Sequence, residues 1–134
     1  MYLTEDEIRD NAKVILGFDE KDLGVKQGTG QITTFNQLGF KGVSDKPDGW
    51  YLPNDKQDIA IILETKSEKE DIFSEKHYAE LVKNVEIAAQ QYKCVVGILY
   101  NGTDVRVIKY IKGSGQYEEI ADVAKTLQNK RYYI

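Results

Sequence analysis

The chain has 134 residues, 41% of them apolar and 30% charged, with two prolines. That composition suits a single folded domain over residues 1–134 and excludes a collagenous or wholly disordered chain. With 18 basic residues against 22 acidic ones, the formal charge is −4, so the basic surplus by which a stand-alone nucleic-acid binder gains phosphate contacts is missing. One cysteine, Cys94, excludes an internal disulfide, and one histidine, His77, excludes a multi-histidine zinc site. Carboxylates are left as the donors for a hard cation. No apolar run approaches the roughly 20 residues of a membrane span. The acidic start, Met1 to Glu7, lacks the basic-then-apolar layout of a signal peptide. Together with the lone cysteine, these features point to the cytoplasm.

In chain order, residues 4–16 read as a helix: Thr4 and Glu7 have capping-box spacing, and Ile8, Ala12, Ile15 and Leu16 share one face. Gly17 is its expected stop. Residues 24–49 are glycine-rich, with 32–35 and 40–43 as short strand candidates. Trp50 to Leu52 extends into a turn at Pro53-Asn54-Asp55. The clearest strand is 59–66: its front, Ile59 to Leu63, is apolar on both faces, as a covered central strand must be, and polar residues come only at its exit. Residues 74–92 read as a long helix whose inward stripe includes Tyr78, Leu81, Val82 and Val85. Strands are expected at 94–100 and 105–111, joined by a two-residue turn at Asn101-Gly102, and a closing helix at 118–129. The fold class is α/β.

Candidate chemistry sits at the exit of the central strand. Residues i and i+2 of a strand point the same way, so Glu64 and Lys66 share a face. If the preceding extended segment folds back through the Pro53-Asn54-Asp55 turn, Asp48 comes beside Glu64. Two carboxylates and a lysine then converge, a set suited to metal-assisted hydrolysis of a phosphodiester: Asp and Glu oxygens hold Mg²⁺, and a lysine stabilises the developing anion. An acidic-any-lysine triplet also occurs at Asp19-Glu20-Lys21. Only the place of Glu64-Thr65-Lys66 after the apolar strand, with Pro47-Asp48-Gly49 ahead of it, distinguishes it. His77 reads as a surface or half-buried side chain, and Cys94 as core.

Pro47-Asp48 followed by Glu64-Thr65-Lys66 resembles the PD-(D/E)XK nuclease superfamily. With the helix and the Val95-to-Gly102 run that follow, the chain is most similar to the N-terminal nuclease domain of type I restriction enzyme R subunits and related restriction–modification fusions. The resemblance implies a restriction-endonuclease-like αβββαβ core, a central mixed sheet flanked by helices. It also implies Mg²⁺-dependent cleavage of double-stranded DNA, and a larger parent protein or complex of which this domain is an N-terminal piece. By it, Asp48 and Glu64 are metal ligands, Lys66 is the catalytic lysine and the Thr65 carbonyl is a further metal contact. An acidic residue of the first helix, Glu7 by position, joins them, and Lys83 meets DNA phosphate. One departure stands out. Many such domains carry a glutamine and, four residues on, a tyrosine in the helix after the lysine strand, and Lys83-Asn84-Val85-Glu86-Ile87 has neither. The other reading is a nuclease-fold module without activity that binds DNA or partner subunits.

Overall fold

The structure, a computed structural model, describes residues 2–18 and 23–122. Helix α1 (Glu5–Leu16) leads into β1 (Val25–Thr29), a single 3-10 turn at Asn36–Leu38, β2 (Gly49–Pro53), β3 (Ala60–Thr65), α2 (Glu75–Ala88), β4 (Cys94–Tyr100), β5 (Val105–Ile111) and β6 (Tyr117–Glu119). The six strands form one sheet in sequence order. Only β3 and β4 run parallel, with α2 as the crossover that a parallel pair requires; every other neighbouring pair is antiparallel. The result is an α/β fold with a mixed sheet between two helices. No helix among the described residues is long and apolar enough to cross a membrane.

Strand parity divides the core into two layers. Trp50 and Leu52 of β2, Ala60 and Ile62 of β3, Val95 and Leu99 of β4 and Ile108 of β5 face Leu81, Val85 and Ala88 of α2. The alternate positions, Leu63, Ile98, Tyr100, Val105 and Val107, face Ile8 and Ala12 of α1. Burial of β3 on both faces explains the unbroken apolar run at its front. The capping box of α1 forms as read, Thr4 Oγ1 accepting from the Glu7 amide at 3.2 Å while Glu7 Oε1 accepts from the Thr4 amide at 3.2 Å. Gly17 ends the helix in the left-handed region at φ 72°.

The structure differs from the sequence reading in four places. Residues 32–35 and 40–43 are not strands. They flank the 3-10 turn, and their aromatic residues Phe35 and Phe40 pack edge to face at 5.4 Å as anchors under the α2 layer. The strand of this region is β1, further upstream. The β4–β5 link is four residues rather than two, because Asn101 Oδ1 accepts from the amides of Thr103 at 3.0 Å and Asp104 at 2.7 Å and closes a wider loop. Glu118 and Glu119 lie in β6 rather than in the expected helix, Ala121 and Asp122 are helical, and 123–129 fall outside the described residues. His77 is buried rather than at the surface or half-buried, and Cys94 is half-buried at the start of β4 rather than core.

Gly97 sets how closely α2 approaches the sheet. A Cβ there would stand 2.6 Å from Val85 Cγ2 and 3.1 Å from Leu81 Cδ1, far inside contact distance. Gly97→Ala should therefore destabilise the fold by about 1–3 kcal/mol, as overpacking of a filled core does. Urea unfolding of the two proteins measures it, and equal midpoints would show that the helix has slack the packing denies.

Candidate active site

The β2–β3 ladder pairs Gly49 with Leu63 and Trp50 with Ile62. The register ends at that Gly49–Leu63 pair, and Asp48, just ahead of β2, lies at the exit of β3 beside Glu64 and Thr65. Gly49 makes the approach possible: a Cβ there would lie 2.8 Å from Leu63 Cδ2 and 2.9 Å from Leu63 Cβ. The Asp48 amide donates to the Leu63 carbonyl at 3.1 Å, fixing the backbone at this point. Asp48 Oδ2 then accepts from the Thr65 amide at 2.8 Å and from Thr65 Oγ1 at 3.3 Å. Sequence reasoning brought Asp48, Glu64 and Lys66 to one strand end, and the structure brings them together there.

Glu64 is 6% exposed. Burial pushes its carboxyl well above the ordinary range, the Asp48 carboxylate raises it further, and a hydrogen bond from Asn84 works against both. Asn84 Nδ2, on α2, donates to Glu64 Oε1, and Asn84 Oδ1 is buried with no partner among the described residues. When protonated, Glu64 can donate to Asp48, which removes the repulsion between two neighbouring charges.

Lys66 continues the β3 parity and reaches α2, where its Nζ lies 2.6 Å from Glu80 Oε2. Burial works to lower the Lys66 ammonium, but the Glu80 hydrogen bond and charge outweigh it and hold the lysine above its ordinary value. Glu80 is in turn held low, Lys66 overcoming its own desolvation. His77 backs this pair, with Nδ1 3.8 Å from Glu80 Oε2 and Nε2 3.3 Å from Glu70 Oε2.

From the other layer, α1 contributes Glu5 and Arg9. Burial raises the Glu5 carboxyl, and the next influences are Asp48, which raises it, and Lys66, which lowers it. Arg9 Nη2 lies 3.5 Å from Asp48 Oδ1. Glu5, not Glu7, is thus the acidic residue of the first helix that faces the site. Glu7 points away, its carboxylate engaged in the capping box with Thr4. Lys83 is also elsewhere, its Nζ 3.1 Å from Asp45 Oδ2 on the loop before β2. Sequence reasoning missed Glu5, Arg9, Glu80 and Asn84. The only signal was helical spacing, Glu80 standing three residues after His77 and Asn84 four after Glu80.

The oxygen donors suit a hard cation. Among the described residues no group of three or more His, Cys, Asp and Glu side chains is set around one ion position. Asp48 and Glu64 could give two oxygen donors of the kind that Mg²⁺ takes, an ion that keeps several of its waters, and a divalent cation there would offset the repulsion between the two carboxylates.

Between the ordinary carboxylate range and the raised value of Glu64, the folded chain holds a proton that the unfolded chain has released. Stability therefore falls as pH rises through that window. Glu64→Gln can still accept from Asn84 and donate to Asp48, but carries no charge. Metal-free thermal melts from pH 5 to pH 8 should show the wild type losing stability with pH, and Glu64→Gln losing much less and melting higher at pH 8. Parallel curves would mean that Glu64 ionises freely. No family model, characterised protein or solved structure matches the chain, so its functional reading rests on this geometry.

Proposed function

We propose that this chain is a Mg²⁺-dependent endonuclease domain of the PD-(D/E)XK type that hydrolyses phosphodiester bonds of double-stranded DNA as part of a restriction–modification enzyme. The observation that carries the reading is the convergence of the Asp48 and Glu64 carboxylates and the Lys66 ammonium at the exit of β3. The element order α1, β1, β2, β3, α2, β4 supports it, being the order of the αβββαβ core.

In this reading Asp48, Glu64 and the Thr65 carbonyl hold Mg²⁺, which when bound supplies an activated water and positive charge at the scissile phosphate. The chain's own residues do the rest. The Thr65 amide orients Asp48, and Asn84 orients Glu64. Lys66, kept cationic by Glu80, stabilises charge developing on the phosphorane oxygens. Glu5 takes the first-helix role that the resemblance gave to Glu7. A second reading, a nuclease-fold module without activity that docks to DNA or to other subunits, is favoured by Lys83, the expected phosphate contact, being engaged with Asp45.

Plasmid nicking with and without Mg²⁺ separates the two readings. Wild type should cleave only with Mg²⁺, and Lys66→Ala should lose about 10²-fold or more of that activity while staying folded and melting somewhat lower, since Glu80 loses its partner. Mg²⁺ should raise the melting temperature of wild type and do so much less for Glu64→Ala, since a ligand of the native state stabilises it. A folded wild type that neither cleaves nor responds to Mg²⁺ favours the silent module.

A further inference from the structure

Arg9 is a buried cation, 7% exposed, one turn into α1. Three carboxylates surround it: Nη1 donates to Asp6 Oδ1 at 2.7 Å, and Nη2 lies 3.6 Å from Glu5 Oε1 and 3.5 Å from Asp48 Oδ1. Its Nε is buried with no partner among the described residues. A guanidinium placed only to dock α1 has its partner already in Asp6, within its own helix. The third contact is different, because it crosses to the strand end that carries the Asp48–Glu64 pair. Asp48 Oδ2 is engaged by the Thr65 amide and hydroxyl. The oxygen left to meet a cation is Oδ1, and that is the oxygen Arg9 faces.

We propose that Arg9 is a built-in counter-cation of this site, competing with a divalent cation for Asp48 Oδ1 and so setting how much Mg²⁺ the site needs; this rests on the reading of Asp48 and Glu64 as metal ligands. The long 3.5 Å contact to Asp48, beside the short 2.7 Å bond to Asp6, leaves the guanidinium held when the metal takes Oδ1. Two positive centres then share one carboxylate, and their repulsion weakens metal binding. Without metal, Arg9 balances a carboxylate that would otherwise face Glu64 alone. The device keeps the cation-free fold intact and makes loading depend on Mg²⁺ concentration.

Titration calorimetry of the full chain with MgCl₂ alone tests this, with circular dichroism as the check on folding. Arg9→Gln and Arg9→Met, the second filling the volume with apolar atoms, should bind Mg²⁺ about tenfold or more tighter than wild type, the scale on which a unit charge a few ångströms from a divalent ion acts. Arg9→Lys keeps the charge and should stay within about threefold of wild type. A merely structural arginine would tighten nothing. If wild type binds Mg²⁺ and the folded neutral variants bind no tighter, or if Arg9→Lys tightens as much as they do, the role of Arg9 falls and the metal site stands. If neither wild type nor the neutral variants bind Mg²⁺, the metal reading falls and takes this proposal with it. If both neutral variants fail to fold while Arg9→Lys folds, Arg9 is structural and the proposal is overturned.

Discussion

The arrangement of this molecule turns on two carboxylates that meet at the exit of β3. Asp48, just ahead of β2, lies beside Glu64, and Glu64 is buried. Neither fact suits a folded chain left to itself, since neighbouring like charges repel and burial disfavours ionisation. The surroundings answer this in three ways. The Glu64 carboxyl is raised well above its ordinary range, so that it holds a proton more readily, Asn84 donates to it, and Arg9 approaches Asp48. Each comes from a different part of the chain, so the site draws β2, β3, α2 and α1 to a single point.

The close approaches needed for this are made by glycines. Gly49 lets β2 lie against Leu63, and Gly97 lets α2 settle onto β4 deeply enough for Asn84 and Glu80 to reach the β3 exit. The central layer is thus both the core and the scaffold of the site: Leu81 and Val85 on α2 pack inward while Glu80 and Asn84, their neighbours, look along the strand end. Such positioning of polar groups by rigid, filled elements is what a preorganised site requires. The ammonium of Lys66 is fixed in the same manner, by Glu80 in front and His77 behind.

What the sequence disclosed follows from how local each feature is. Period-two parity placed Glu64 and Lys66 on one face, and the turn at Pro53-Asn54-Asp55 was enough to return Asp48 to them. Thr4 and Glu7 announced the start of α1, and the doubly apolar front of β3 announced a covered central strand. The helical partners were not legible, because whether Glu5 or Glu7 faces the sheet depends on the rotation of α1 about its axis, which Ile8 and Ala12 set by packing against β3, β4 and β5. Asn84 and Glu80 depend likewise on the seat at Gly97. The missed strand β1, with sequence Val25-Lys26-Gln27-Gly28-Thr29, has no apolar alternation and carries a glycine in its interior, and it pairs along the edge that β2 offers. Phe35 and Phe40 misled in the opposite sense, since aromatic residues anchor irregular backbone to a core as readily as they build strands.

The charges at the site make one further point about order of events. Glu5, Asp6, Asp48, Glu64 and Glu80 are set against Arg9 and Lys66, and both cations are already paired with carboxylates. A phosphate approaching this end of the sheet meets more carboxyl groups than cations, while the chain as a whole is also negative, at −4. Counterion release, the usual source of affinity for DNA, has little to draw on here. A polyanionic substrate becomes a plausible ligand only after a cation has neutralised the Asp48–Glu64 pair, or when a neighbouring domain supplies the basic surface. Cation first and substrate second is therefore the sequence that the electrostatics of the proposed reaction impose, and Arg9 stands where it can govern the first step.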